Sequence, residues 1–180
     1  STLAQELGHA FHSHVMWDLP TLNQDYAMNV AETASTFAEL IVADATLKEA
    51  KTDEEKINLL DVKLQNAIAN IHARFIFESN FYAARQKGLV ATDEITRLMV
   101  EAQKEAYING LGSYHPHFWA AKLHFFIDEV PFYNFPYTFG YLFSLGIYAK
   151  ASQHADGFED QYIALLRDTA SMTTEELAKK

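Results

Sequence analysis

Apolar positions along the chain recur at spacings of three and four, not two. Behind Thr52-Asp53-Glu54-Glu55, residues Ile57, Leu60, Leu64, Ile68, Ile71 and Phe75 follow that rhythm, the stripe of a helix packed on one face. Thr52 and Glu55 have the spacing of a capping box, in which hydroxyl and carboxylate each satisfy the other's free backbone N–H. Gly88, after Arg85-Gln86-Lys87, supplies a stop whose cations suit a helix C-terminus. Thr92, Asp93 and Glu94 open a further helix that turns Ile95, Leu98, Met99, Ala102 and Ala106 inward and closes at Gly110 and Gly112. Asp25 to Lys51 reads as another, with Val30, Ala34, Phe37 and Ile41 as its stripe, and Thr173-Thr174-Glu175-Glu176 begins a short last one. Alternating strand patterns are almost absent. The pattern predicts a single all-α domain over residues 1–180, of about seven or eight helices, without repeats, low-complexity tracts or a linker.

Composition agrees with a filled interior. Of 180 residues, 49% are hydrophobic and 13% aromatic, which excludes disorder and permits a sizeable core. The net charge of -10 argues against nucleic acid, whose phosphates need a basic surface, and against anionic membranes. There is no cysteine, so any metal must be held by His, Asp or Glu. No apolar run approaches a membrane span and the first residues do not form a signal peptide. A soluble, cytoplasmic protein is expected.

Against that background one short stretch changes the picture. Zinc peptidases of one large class carry H-E-x-x-H on a helix, and here the same frame reads Gln5-Glu6-Leu7-Gly8-His9. Positions 5 and 9 lie one turn apart on one side of a helix, so two side chains there can grip one ion. Catalytic zinc takes three protein ligands and keeps a fourth position open, with a nearby carboxylate to accept the proton of bound water. Glu6 suits that carboxylate. Glu32, sharing a helical face with Thr36 and Glu39, suits the third ligand, and Thr36 or Glu39 would orient a histidine through its other ring nitrogen. Taken alone, the spacing fits an ordinary amphipathic helix at least as well. The frame also begins almost at residue 1, where chemistry would sit on a fraying end; a piece of a longer protein is expected.

STLAQELGHAFHS, followed by NVAETASTFAEL, closely resembles the active-site region of oligoendopeptidase F and its relatives, the thimet oligopeptidase family of zinc peptidases. LHFFIDEVPFYNFPYTFGYLFS resembles the same family's histidine and tyrosine segment. The likeness runs in order from about residue 1 to residue 155. It implies residues 1–50 as a zinc-motif helix and third-ligand helix, and residues 115–155 as a segment that closes over bound peptide. It further implies Glu6 as general base, and His9 and Glu32 as ligands of one zinc ion that activates water and polarises the scissile carbonyl of a short peptide. His124 resembles the family's transition-state histidine. Tyr133, Tyr137 and Tyr141 are candidate phenol donors to the oxyanion or the peptide backbone, and Pro136 in a first turn would set Tyr137, Tyr141 and Tyr148 along one helix face. His115, with His117 in SYHPHFW, is a candidate substrate contact beside the cleft; His12 and His14 are expected to be bystanders.

Two departures bear on activity. Gln5 stands where the family has its first histidine, and an amide oxygen is a much poorer zinc donor than imidazole. The chain is therefore expected to bind zinc weakly or not at all and to be nearly inactive. The large helical region that precedes the motif in the family is also missing, so the missing N-terminal portion or self-association would cover apolar surface left open. The alternative is a catalytically inactive peptide-binding or scaffold homologue.

Overall fold

The three- and four-residue rhythm does produce helices. The computed structural model describes residues 2–153 and 156–180; Ser1 and the last two residues of the 115–155 segment lie outside the described residues. Among the described residues there are eight α-helices and no strand: α1 Thr2–Met16, α2 Thr33–Glu49, α3 Asp53–Leu64, α4 Ile71–Arg85, α5 Thr92–Ala106, α6 Phe135–Gln153, α7 Phe158–Arg167 and α8 Thr174–Leu177. A π-turn over Gln65–Asn70 joins α3 to α4, and 3-10 turns occupy Thr21–Asn23, Met28–Val30, Phe118–Ala121 and Leu123–Phe126. The chain divides into two compact units, Ser1–Leu59 with Phe139–Lys180, and Leu60–Thr138.

In the first unit α1 lies against α2 and α7. The approach of α1 to α2 depends on Gly8. A Cβ there would stand 2.5 Å from both the Ala34 carbonyl oxygen and Ser35 Cα, closer than carbon and backbone can come. Val15, Met16, Val30, Ala34, Phe37, Ile147, Tyr162, Leu165, Leu166 and Leu177 form the core beneath. His12 is fully buried in it, stacked on Tyr26 at 4.2 Å between ring centroids, with Nε2 2.9 Å from Thr169 Oγ1 and 3.2 Å from the Leu166 carbonyl oxygen. It is structural, as expected of a bystander, and His14 is exposed.

The helix expected over residues 25–51 is shorter. Residues 25–32 instead make tertiary contacts: Ala27 is extended, Tyr26 stacks on His12, and Asn29 Nδ2 donates to Thr174 Oγ1 at 2.5 Å. The helix begins only at Thr33, with Glu32 as its cap. Val30, Ala34 and Phe37 are buried as the stripe predicts, but Ile41 is exposed.

In the second unit α4 packs on α5 around Phe77, Leu98, Met99 and Ala102, with Ile76, Phe81, Phe118, Trp119 and Phe125 against them. The expected capping box at Thr52 forms. Glu55 N–H donates to Thr52 Oγ1 at 3.1 Å and Thr52 N–H to Glu55 Oε2 at 3.2 Å, and the Thr173–Glu176 box opens α8. Gly88 follows α4 at φ +139°. Beyond α5, however, Ile108 and Asn109 take the left-handed conformation, at φ 51° and 56°, not the two glycines. The stripe behind Thr52 is the larger departure. Only Ile71 is buried, at 6% exposure, while Ile57, Leu60, Leu64 and Phe75 range from 46% to 64%. The period makes a helix, but most of its apolar stripe stays exposed.

Burial pushes the His12 pKa down from 6.5 to about 4, so the folded chain holds this ring neutral. Between those values the unfolded chain takes up a proton that the folded chain does not, so stability falls as pH drops. Urea unfolding should lose about 3 kcal/mol between pH 6.5 and 4 from this group, at roughly 1.4 kcal/mol per pKa unit, and His12→Gln should flatten that slope. Gly8→Ala gains about 1 kcal/mol in helix propensity but drives Cβ into the backbone of α2. A lower urea midpoint is expected, with a net loss of up to about 2 kcal/mol after overpacking costs of about 1–3.

Candidate active site

The short approach of α1 to the start of α2 creates the first cluster. One helical turn separates Gln5 from His9, and both face Glu32. Three donors converge on a single carboxylate oxygen. Glu32 Oε2 lies 2.5 Å from Ser35 Oγ, 3.3 Å from His9 Nε2 and 3.4 Å from Gln5 Nε2. The backbone of Glu32 is gripped as well: its carbonyl oxygen accepts from the Thr36 N–H at 3.0 Å and the Thr36 hydroxyl at 2.5 Å. Gly140 of α6 closes the other side. A Cβ there would fall 2.8 Å from Glu32 C and Cβ.

Electrostatics follow from that geometry. The hydrogen bond that His9 donates to Glu32 raises the His9 pKa above 6.5 against the opposing effect of burial, and Glu6 adds to the rise. Burial pushes the Glu32 carboxyl up, but hydrogen bonds from His9 and Ser35, the His9 charge and the Gln5 amide outweigh it and hold it below the usual range. Glu6 itself is exposed on α1. Thr36, one of the two residues expected to orient a histidine, is engaged otherwise: its hydroxyl lies 2.7 Å from that of buried Ser144, which donates to the Thr33 carbonyl at 2.7 Å. This pair anchors the helix cap instead.

Two potential zinc donors thus meet, His9 Nε2 and Glu32 Oε2. The third corner is Gln5, which turns its NH2 edge to the carboxylate. Among the described residues no group of three His, Cys, Asp or Glu is placed to hold a metal ion. A catalytic zinc site needs three such ligands and an open position, so the donor set does not fit one.

The second cluster lies within Leu60–Thr138. The His124 ring is 4.6 Å from that of Tyr133 and 6.2 Å from that of Tyr137, nearly parallel to the latter. Asn134, buried, sits 2.7 Å from His124 Nδ1 and also accepts from Arg74 Nη1. A left-handed Phe132, at φ 57°, precedes them. That conformation is strained for a bulky side chain, and buried Glu78 holds it, with Oε1 accepting from the Phe132 N–H at 2.7 Å and the Tyr82 hydroxyl at 3.2 Å. Pro136 occupies the first turn of α6 as expected. Tyr141, one turn beyond Tyr137, belongs to the other unit and is buried, which raises its phenol pKa.

His115 lies on the rim of a cleft of about 500 Å³, with Asn70, Tyr107, Tyr114 and Phe118 among its walls. Gln103 clamps the backbone there, donating to the His115 carbonyl at 2.9 Å and accepting its N–H at 3.1 Å. Sequence reasoning missed Ser35, Arg74, Glu78, Gln103 and Asn134. Ser35 had a signal, standing three residues after a capping glutamate; so did Arg74, a cation inside the apolar run IHARFIF.

Comparison with known proteins places the chain. The sequence profile of peptidase family M3 matches residues 1–180. The chain belongs to peptidase family M3. It is 29% identical over 177 residues to an oligoendopeptidase F homolog of Lactococcus lactis subsp. lactis, covering 94% of this chain and 29% of that relative. Group B oligopeptidase PepB of Streptococcus agalactiae is 33% identical over 149 residues, covering 78% of this chain and 24% of PepB. Oligopeptidase PepF of Bacillus subtilis is 23% identical over 186 residues, covering 99% and 27%. The chain thus spans less than a third of these relatives, 24–29% of their length. No solved structure matches it.

Replacing Glu78 by Leu leaves the Phe132 N–H and the Tyr82 hydroxyl without their acceptor. Chemical denaturation should show a loss of about 1–3 kcal/mol, the cost of such unpaired donors, and Glu78→Gln, which keeps one oxygen, a smaller one.

Proposed function

We propose that this M3 chain is the catalytic portion of a cytoplasmic oligopeptidase that cleaves internal bonds of short peptides, carrying a disabled metal site. The observation that supports this reading is the meeting of His9 Nε2 and Glu32 Oε2 at 3.3 Å, with Gln5 one turn before His9 at the place of a third ligand. With histidine at position 5 the corner would hold three donors, the set that catalytic zinc takes. With Gln5 it binds zinc weakly or not at all, and hydrolysis is impaired.

The remaining assignments rest on resemblance. Glu6 is the general base for the attacking water. His124, Tyr133 and Tyr141 serve as donors to the negative oxygen of the tetrahedral intermediate, where preplaced dipoles do most. Tyr137 and His115 contact the peptide. Either the N-terminal portion found in longer relatives or a second copy completes the assembly.

A second reading is favoured by one feature: the Gln5 amide donates to Glu32 and so substitutes a hydrogen bond for a metal bond. On this reading the chain is a metal-free peptide-binding homologue.

Calorimetric zinc titration of this chain and of Gln5→His tests the site. The variant should bind at least tenfold more tightly, since even disturbing the partners that orient zinc ligands commonly costs about 10–100-fold. Equal, tight binding by both would overturn the disabled-site reading. Tight binding restored without peptide cleavage, even with the upstream region of a relative supplied, would favour the binder.

A further inference from the structure

The corner around His124 holds more polar order than ring contacts require. Asn134 is buried, and its Oδ1 lies 2.6 Å from Arg74 Nη1 and 2.7 Å from His124 Nδ1. A guanidinium can only donate. The amide edge facing Arg74 must therefore be the oxygen, because the reversed amide would set NH2 against N–H. An amide oxygen can only accept, so His124 Nδ1 must carry a proton; a bare Nδ1 at 2.7 Å would oppose two lone pairs. The other partner open to a bare Nδ1 is Arg74 Nη1, and at 3.4 Å it is too distant to offset that repulsion.

We propose that Arg74 and Asn134 are positioning residues that lock His124 as the Nδ1–H tautomer and reserve Nε2 for the substrate. The inference rests on the reading of His124 as a group that acts on bound peptide. It sets what His124 can do. The neutral ring presents a lone pair at Nε2 and accepts an N–H, such as that of a peptide or a departing amine. Donation from Nε2 to a developing oxyanion requires the ring to be protonated on both nitrogens. The chain of constraint is directional: Arg74 orients the amide, the amide selects the ring proton, and the ring proton determines the free nitrogen.

The surroundings fit a positioning role better than a packing role. Arg74 Nε and Asn134 Nδ2 are both buried without a hydrogen-bond partner among the described residues. The guanidinium carbon stands 5.4 Å over the Phe118 ring, and burial lowers the Arg74 pKa. Stability alone does not favour keeping two orphaned donors and a half-buried cation in one corner. A requirement to orient one imidazole does.

The test reads the tautomer directly. Long-range proton–nitrogen correlation NMR on the 180-residue chain at alkaline pH distinguishes a protonated ring nitrogen from a bare one, with His124→Gln to assign the signals. His124 is expected to show protonated Nδ1 and bare Nε2. Asn134→Asp keeps an acceptor and should keep that pattern; Asn134→Leu should invert it to the Nε2–H form that free imidazole side chains favour. Arg74→Gln, which lets the amide turn, should give a mixture. The methyl signal of buried Met99 verifies folding of each variant, and if the Leu variant does not fold, the Asp and Arg74 variants decide. An Nε2–H ring in the unaltered chain overturns the proposal, as does an unchanged Nδ1–H pattern in folded Arg74→Gln. Zinc binding and cleavage by Gln5→His are separate readouts, so failure of the peptidase reading would leave the tautomer result intact.

Discussion

The first unit is organised around one carboxylate oxygen. Glu32 Oε2 receives donors from α1 and from its own helix, and it can do so only because two glycines let backbones approach. Gly8 brings α1 onto residues 34 and 35, and Gly140 brings α6 onto residue 32 itself. The cap of α2 is consequently enclosed on both sides, with Thr36 and Ser144 holding the backbone below it. A half-buried carboxylate would ordinarily prefer its proton. Here the number of donors decides the matter in favour of the anion, and the imidazole that helps to hold it becomes more basic in return.

The same logic explains why a single amide is so consequential. Glutamine reaches about as far as histidine. What changes is chemical. An imidazole ring at position 5 would offer a nitrogen lone pair to an ion, whereas the Gln5 NH2 edge offers a proton to Glu32. The His124 corner shows the complementary case, in which polar side chains constrain one another through what each can donate or accept.

Much was legible beforehand. The helical period, the capping box at Thr52, the helix start at Thr173, the stop at Gly88 and the placement of Pro136 in the first turn of α6 are local properties of neighbouring residues, and they appear in the structure. The spacing of Gln5 and His9 is equally local. Long-range properties were harder to read. A stripe such as Ile57-Leu60-Leu64 specifies which face of a helix is apolar, but not whether another element arrives to cover it. The start of α2 moved from residue 25 to residue 33 because Tyr26 and Asn29 are engaged by His12 and Thr174, partners 14 and 145 residues away.

The sequence by itself determined the helical class, several helix ends and membership of a peptidase family, since each depends on residue types at short, fixed separations or on ordered motifs. Only the tertiary structure decided that Ser35 and Gln5 share an oxygen with His9, that Asn134 stands between Arg74 and His124, and that Glu78 restrains Phe132. Those pairings join residues 23 to 60 positions apart, apart from the short Ser35–Glu32 and Asn134–His124 links. Separation of that order leaves no periodic trace along a chain. Which groups meet is settled by how closely helices can pack, and in the first unit that rests on the absence of a side chain at two glycines.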